Sequence, residues 1–334
     1  MHLKLQERID LLARLGDYLA TNDESWAAAR ERAYTANNWF IPEFTDLATA
    51  NISQAFLRRA ALEELAKRYG IPEENTAPKK VGLVMAGNIP LVGFHDLLCT
   101  FLSGHYAWMK PSSKDTVLIT HIVEWLLRER PDAAPYLVIA ERLVGCDAYI
   151  ATGSDNSARY FEHYFAKYPH IIRKNRTSMA ILTGEETPEE LEKLADDICQ
   201  YFGLGCRNVT ALRVPENYDF EPLVRALDKY KALEHHNKFR NNYDYNLAVH
   251  IINNHYYMTN GTVLLLEAES PFAPISQVHF QFYKSAAEAE KALLERSDIQ
   301  CIVGRGQVPF GGAQCPALDT FADGVDTLRF LLSL

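Results

Sequence analysis

The residue best suited to covalent chemistry in this sequence is Cys206. It lies in the segment FGLGCRN, between a helix-like run and the strand-like run VTALRVP. The two glycines of that segment allow a sharp backbone turn, and a thiol on such a turn is accessible enough to act as a nucleophile. Most cysteines are instead buried apolar side chains. Both interpretations fit the residue by itself, so its surroundings have to decide.

An asparagine after the run VGLVMAG is a candidate hydrogen-bond donor. Asn88 lies in Gly87-Asn88-Ile89-Pro90, where this apolar run ends. In a parallel sheet the carboxyl end of a strand faces the ligand crevice. A side-chain amide at that place can donate to an oxyanion formed during acyl transfer. The pattern Asn-x-Pro is also typical of an ordinary turn after a strand.

A lysine closes the next apolar run, YAWMK. Lys110 is followed by Pro111 and by Ser112 and Ser113. An ammonium group and hydroxyls at a strand end can bind the ribose or phosphate oxygens of a nucleotide. A solvated loop lysine is the alternative, and it is the commoner situation.

A glycine and a serine follow the run AYIAT. Gly153 and Ser154 precede the amphipathic run DNSARYFEHYF. The amino end of a helix attracts anions, so this turn is a candidate pyrophosphate site. Ser154 is equally suited to be the N-cap of that helix.

These segments require a framework of strands and helices that brings them together. Residues 1–70 place apolar residues at helical spacing, and from Lys80 onward short apolar runs alternate with helical stretches. Strand, helix and strand in that order predict right-handed βαβ units and a parallel sheet. We therefore predict an α/β protein with N-terminal helices and a dinucleotide-binding domain over residues 1–175 and a catalytic domain over residues 176–334.

The predicted catalytic domain holds further strand-like runs. They are SMAILTG, VTALRVP, HIINN, TVLLLEA, SQVHFQFYK and QCIVG. The aromatic-rich stretch HHNKFRNNYDYNLAVHIINNHYYM, which contains HIINN, has two interpretations: it lines an acyl channel, or it forms strands and turns at a domain surface.

Composition excludes several classes of protein. The net charge of −9 and the dispersed Lys and Arg residues argue against a nucleic-acid partner. The six cysteines include no C-x-x-C pair, so neither a zinc site nor a disulfide framework is predicted, and we expect no metal. Because no segment approaches the roughly 18 apolar residues of a membrane span and no signal-peptide core is present, we expect a cytoplasmic protein without a membrane span.

The order of these motifs resembles the aldehyde dehydrogenase superfamily. VGLVMAGNIPLVGFHDLLCTFLSGHYAWMKPSS is similar to its Asn-x-Pro turn followed one helix later by Lys-Pro-Ser, and AYIATGSDNSAR to its Thr-Gly-Ser motif. GLGCRNVTALRV resembles the segment that carries its cysteine. SPFAPISQVHFQFYKSAAEAEKAL resembles its Phe-Gly-Pro segment, with Ala273 where glycine is usual. The resemblance runs from about Val81 to Leu293.

Within that superfamily, the compact length and the ending ALDTFADGVDTLRFL resemble the LuxC-type acyl-CoA reductases. The resemblance implies an aldehyde dehydrogenase-like fold with the active site in the interdomain cleft. It also implies an acyl-CoA or acyl-carrier substrate, most simply a fatty acyl thioester. NADPH is the expected cofactor, with NADH as the alternative, and a homodimer is compatible with the family.

Residue roles follow from the same resemblance. Cys206 would be the nucleophile and Asn88 the oxyanion donor. The cofactor-binding residues would be Lys110 and Ser112 at the ribose, and Gly153 and Ser154 at the pyrophosphate and nicotinamide end.

Two departures from the superfamily pattern bear on the chemistry. Aldehyde oxidisers carry a glutamate that activates water to hydrolyse the thioester, and the corresponding stretch here, Arg173–Arg176, holds no carboxylate. Without that base an acyl-cysteine would persist until it is reduced, which favours reduction over oxidation. The superfamily's ribose-binding glutamate falls nearest Ser270, so Glu269, one residue early, is the candidate for that role.

Two alternatives stay open at this stage. An acyl-phosphate reductase of the glutamyl-phosphate type would use the same cysteine chemistry on the same scaffold. A scaffold that has lost activity would instead bind a dinucleotide or a protein partner.

Overall fold

The computed structural model describes residues 3–334 and divides into two compact units. The first unit contains the chain up to Asn175 together with Pro316–Leu334, and the second contains Arg176–Cys315. Each unit has its own sheet flanked by helices, which confirms the predicted α/β class. Within the described residues, no helix is long and apolar enough to cross a membrane.

The first unit begins with helices that bury one apolar face each. In α1, Ile9, Leu12 and Leu15 recur at helical spacing and are buried in the core of this unit. Helix α4 ends at Gly70, whose φ of +62° is the left-handed conformation that terminates many helices. The bounds of these helices are α1 Leu5–Leu19, α2 Glu24–Ala36, α3 Pro42–Asn51 and α4 Arg59–Tyr69.

Five parallel strands form the sheet of the first unit, in the order β3-β2-β1-β4-β5. The chain moves outward from β1 to β2 and β3, then returns to the other side of β1 for β4 and β5. Such a reversal of strand order opens a crevice beyond the carboxyl ends of the two central strands, here β1 and β4. The elements are β1 Lys80–Val84, α5 Phe94–Leu102, β2 Tyr106–Lys110, α6 Thr116–Glu129, β3 Leu137–Ile139, β4 Ala148–Thr152, α7 Asp155–Phe165 and β5 His170–Arg173.

The structure corrects the predicted assignment of residues 316–334, which pack with the first unit and not with the second. Helix α12, Thr327–Leu332, buries Leu328 and Leu331 in the core of the first unit. Its first residue, Thr327, accepts a hydrogen bond from the Arg173 guanidinium at 2.9 Å. The sequence did not predict this contact, because no local pattern indicates which of two hydrophobic cores a terminal amphipathic helix will join.

The second unit contains a six-stranded sheet in the order β11-β6-β7-β10-β9-β8. Five strands are parallel, and the two-residue edge strand β8 pairs antiparallel with β9. The elements are β6 Thr177–Ile181, α8 Pro188–Cys199, β7 Val209–Pro215, α9 Glu221–Ala226, α10 Asn237–Ile252, β8 Met258–Thr259, β9 Leu264–Glu267, β10 Gln277–Tyr283, α11 Ala286–Leu294 and β11 Ile299–Val303.

The structure differs from the predicted strands in two places. The run HIINN is not a strand, because His250, Ile251 and Ile252 form the last turn of α10. Its β-branched residues suggested a strand, but the preceding helical turns decide the local conformation. Strand β5, His170–Arg173, was missed because its four residues were not among the strand-like runs identified in the sequence.

The Arg173–Asp96 ion pair should be a major source of stability in the first unit. The guanidinium binds both carboxylate oxygens, at 2.5 and 2.9 Å, and the two side chains are only 5% and 13% exposed. Asp96→Ala would leave the buried guanidinium without its partner, so we expect a loss of about 3–5 kcal/mol in the free energy of unfolding, measured with urea.

The neighbouring pair Lys174–Glu162 is the matched control, since its side chains are 56% and 48% exposed. Glu162→Ala should cost less than about 1 kcal/mol, because solvent screens exposed pairs. Equal losses in the two variants would contradict the role given to Arg173.

Candidate active site

The predicted site residues of the first unit gather at one edge of its sheet. Asn88 follows β1, Lys110 ends β2, and Gly153 follows β4. These three strands are neighbours, with β1 in the middle. Since they are parallel, the three turns lie side by side at the carboxyl edge, across the β1/β4 reversal.

The turns after β1 and β2 are packed directly against each other. A Cβ atom added to Gly87 would lie 2.6 Å from the Cβ of Ser112, which is closer than real Cβ atoms approach. Only glycine therefore fits at position 87. The contact brings the neighbourhood of Asn88 against the loop that carries Lys110 and Ser112.

The turn after β4 is equally tight. A Cβ on Gly153 would lie 2.8 Å from the Cβ of Ser157, one turn into α7. Ser154 is the N-cap of α7, because its hydroxyl accepts from the Ser157 N–H at 3.4 Å. The capping interpretation of Ser154 is therefore confirmed. An anion role for this turn stays a prediction that rests on its place at the helix start.

Cys206 lies in the second unit, on a loop with unusual backbone geometry. Tyr201, Phe202 and Gly203, just before it, have φ values of +53°, +58° and +72°. Left-handed backbone at two consecutive aromatic residues is strained by about 1–3 kcal/mol each. Both rings are buried, and Phe202 packs against His236 and Phe239 at the start of α10. Burial thus holds the backbone in this conformation.

Asn208 holds the other side of the loop. Its fully buried side chain donates to the carbonyls of Gln200 at 2.8 Å and Asp197 at 3.0 Å, at the end of α8. Its amide oxygen accepts from the Gly205 N–H at 2.8 Å. One side chain therefore ties the helix end to the residue before Cys206.

Two further contacts anchor the backbone around Cys206. The Ser178 hydroxyl, on β6, donates to the Cys206 carbonyl at 3.0 Å. The Arg207 guanidinium donates to the carbonyl of Ala313, in a loop that Asp197 also binds through the N–H groups of Gly311 and Ala313, at 2.7 and 2.9 Å. Cys206 is half-buried and lies on a loop that hydrogen bonds hold to several neighbouring segments.

The structure separates Cys206 from most other thiols. Burial raises the pKa of Cys99, Cys146, Cys199 and Cys301, which disfavours the reactive thiolate at neutral pH. Cys206 and Cys301 are both half-buried and Cys315 is exposed, and because the pKa of Cys301 is raised, Cys206 and Cys315 are the two candidates. Only Cys206 lies on the loop described above.

Glu269 lies in the connection between β9 and β10. It is exposed and follows the carboxyl end of β9, whereas Cys206 precedes the amino end of the parallel strand β7. The chain then turns back, and the Thr210 hydroxyl donates to the Pro271 carbonyl at 2.6 Å. Contact between Glu269 and a ribose stays a prediction.

The aromatic-rich stretch predicted as an acyl channel or as strands and turns is mainly helix α10. It lines a small apolar pocket behind the loop, where Phe239 faces Phe202 and Gly203. Phe239 of this helix packs against Phe202 and so supports the strained backbone.

Sequence reasoning missed Asn208 and Asp197. Asn208 is visible in the motif FGLGCRN, two positions after the cysteine, but which carbonyls it binds depends on where α8 ends. Asp197 reads as an exposed position of an acidic helix, although it is buried.

Residues 45–227 match the family model described as acyl-CoA reductase (LuxC). No curated protein matches the sequence.

Solved structures show a similar fold. Aldehyde dehydrogenase 21 from Physcomitrella patens, solved with the product succinate, is 13% identical over 99% of this chain and 84% of that chain, with a TM-score of 0.66. Mycobacterium tuberculosis aldehyde dehydrogenase, complexed with NAD+, is 14% identical over 90% and 73%, with a TM-score of 0.63. AldH from Staphylococcus aureus, in a substrate-bound state, is 16% identical over 90% and 76%, with a TM-score of 0.57. The fold is therefore that of the aldehyde dehydrogenases.

Asp197 should make stability depend on pH. Burial raises its pKa to about 6, although the bonds from Gly311 and Ala313 act in the opposite direction. The folded state therefore favours the protonated carboxyl, and this contribution is complete below about pH 4 and lost as the pH rises through 6. We expect the stability of wild type relative to Asp197→Asn to fall by roughly 2 kcal/mol between pH 4 and pH 8, measured by urea unfolding.

Asp219→Asn serves as the control, because Asp219 is exposed but also accepts a backbone hydrogen bond, from Glu221. Parallel pH profiles for wild type and Asp197→Asn would show that the buried carboxyl does not titrate in this range.

Proposed function

Because the chain belongs to the LuxC family of acyl-CoA reductases, we propose that it reduces an acyl thioester to the aldehyde through an acyl intermediate on Cys206. The observation that carries the proposal is the Cys206 loop: buried rings, Asn208 and Ser178 hold the backbone of this loop, and Cys206 itself is half-buried. A nucleophile fixed in this way avoids part of the entropic cost of attack.

The first step is acyl transfer. The Cys206 thiolate attacks the thioester carbonyl of an acyl-CoA or acyl carrier, and the carbonyl oxygen becomes an oxyanion. Asn88 is the proposed donor to that oxyanion. The intermediate collapses, a new C–S bond to Cys206 remains, and the coenzyme A thiolate leaves and takes up a proton.

The carboxyl edge of the first unit fits a nicotinamide dinucleotide. The crevice between β1 and β4 is the usual place for such a ligand, Lys110 supplies a cation beside it, and the close-packed Gly153 turn leads into the amino end of α7. When bound, the dinucleotide supplies a hydride to the acyl carbon. Lys110 and Ser112 would hold its ribose end and Gly153 and Ser154 its pyrophosphate, while Cys206 departs as thiolate when the aldehyde forms.

The stretch Arg173–Arg176 supports reduction over hydrolysis. Arg173 is bound to Asp96, and Lys174 pairs with Glu162. No residue of the stretch is a carboxylate that could activate water, so the acyl-enzyme is expected to wait for the hydride.

Acylation of Cys206 is the direct test. Mixing the protein with hexadecanoyl-CoA in the absence of nicotinamide cofactor should add one acyl group, detected by intact-mass spectrometry. Cys206→Ala should show no adduct, while Cys315→Ala, which removes the exposed thiol, should be acylated like wild type. An adduct on Cys206→Ala, or none on wild type, would contradict the proposal.

NADPH oxidation with different substrates, together with the reactivity of Cys206, separates the alternatives. An acyl-phosphate reductase would oxidise NADPH with an acyl phosphate and leave acyl-CoA unchanged. An inactive scaffold would react with neither substrate, and its Cys206 would resist iodoacetamide.

We propose NADPH as the preferred cofactor, with the exposed Lys110 bound to the 2′-phosphate. Lys110→Met should weaken NADPH binding about tenfold, as expected for the loss of one charge-assisted contact, and leave NADH binding nearly unchanged. Lys114→Met, an exposed lysine of the same loop, is the control, and fluorescence titration measures both cofactors. An equal loss for NADPH and NADH would refute the assignment.

A further inference from the structure

A buried aspartate connects the two turns at the carboxyl edge of the first unit. Asp115 is 2% exposed, and its Oδ2 accepts from the Leu91 N–H at 2.7 Å. Leu91 lies three residues after Asn88, in the turn that leads into α5, and its φ of +57° lies in the left-handed region that a leucine rarely adopts. The hydrogen bond therefore stabilises a strained turn.

The position of Asp115 would ordinarily suggest a different role. It directly precedes α6, where aspartate usually accepts from the first N–H groups of the helix, yet its side chain makes no such bond. Its Oδ1 is buried and has no hydrogen-bond partner within residues 3–334. An unsatisfied buried oxygen is destabilising, so this carboxyl is not explained by the stability of its own helix.

A second contact supports the link between the turns. The Cβ that Gly87 lacks would lie 3.2 Å from the Cβ of Asp115 and 2.6 Å from that of Ser112. Gly87, directly before Asn88, is thus packed against the loop that carries Asp115. Leu91, three residues after Asn88, donates its N–H to Asp115.

We propose that Asp115 is a positioning residue that fixes the turn Asn88–Leu91 and thereby aims the Asn88 amide at the oxyanion. This inference rests on the proposed function, in which Asn88 is the oxyanion donor. Asp115 itself touches neither the substrate nor the cofactor, so its effect on catalysis passes through Asn88.

The charge of Asp115 suggests the conservative variant. Burial raises its pKa well above the usual range, although the Leu91 N–H acts in the opposite direction. Burial thus disfavours the charged form, and asparagine keeps the size of the side chain, carries no charge and has an oxygen that can accept from Leu91.

A double-mutant cycle tests the inference. The rate of Cys206 acylation by hexadecanoyl-CoA is measured by rapid quenching and intact-mass spectrometry. Asn88→Ala should slow acylation about 100-fold, the usual effect of losing one oxyanion donor. We expect Asp115→Ala to slow it about tenfold, Asp115→Asn to stay near the wild-type rate, and Asp115→Ala to have no further effect in the Asn88→Ala background.

The outcomes distinguish the inference from the function on which it rests. If Asp115→Ala slows acylation by the same factor with and without Asn88, the positioning role is wrong while the proposed function stands. If Asn88→Ala leaves the rate unchanged, the oxyanion role and the inference both fail. If wild type forms no acyl adduct at all, the proposed function is wrong.

Two controls guard against a general effect on folding. Asp147 accepts from the Lys80 N–H at 2.8 Å at the opposite edge of the same sheet, and Asp147→Ala should acylate at the wild-type rate. If Asp115→Ala does not fold, Asp115→Glu keeps the carboxyl but shifts it by one methylene. Asp115→Glu should slow acylation when Asn88 is present and have no further effect in the Asn88→Ala background. If it slows acylation by the same factor in both backgrounds, the inference is wrong.

Discussion

The parallel arrangement of β1, β2 and β4 is the constraint on which the first unit depends. A parallel sheet delivers the end of every strand to the same edge, so the turns that follow these strands must be neighbours. The reversal of strand order between β1 and β4 then leaves space there for a ligand. Gly87 lets the turns after β1 and β2 pack together, and Gly153 lets the turn after β4 pack on α7, because a side chain at either position would collide with its neighbour.

The second unit depends on a different balance. Tyr201 and Phe202 adopt backbone conformations that are unfavourable by themselves, and the surrounding structure compensates. Their rings are buried, and Asn208 satisfies carbonyl groups that α8 leaves without helical partners. This arrangement ties the backbone on both sides of Cys206 to buried groups, as the proposed role of nucleophile would require.

Buried polar side chains serve comparable purposes in both units. Asn208 ties the cysteine loop to a helix end, Asp197 binds the Gly311–Ala313 loop, and Asp115 joins two turns. Arg173 acts at larger scale, since it connects β5 with α5 and the C-terminal helix. Each bond joins segments that are distant in sequence or belong to different elements. The acceptor or donor therefore could not be read from the sequence beside it.

Local patterns sufficed wherever the signal was local. Apolar runs that end in polar residues located β1, β2 and β4, and a helix cap was one of the two interpretations offered for the serine before an amphipathic run. The same logic was wrong for HIINN, because a short β-branched run does not distinguish a strand from the end of a long helix. It was also wrong for residues 316–334, whose apolar residues fit either core until the chain is folded.

The sequence by itself determined the fold class, the order of the motifs and the family, since these depend on residue types at fixed spacing along the chain. Only the tertiary structure decided that Asp115 reaches back to Leu91 and that Asn208 supports the loop of Cys206. It also decided that Arg173 holds the C-terminal helix. The physical reason is the same in each case: a buried polar group is bonded to whatever backbone or side-chain group the packing of elements brings within about 3 Å, and that packing is a property of the whole chain.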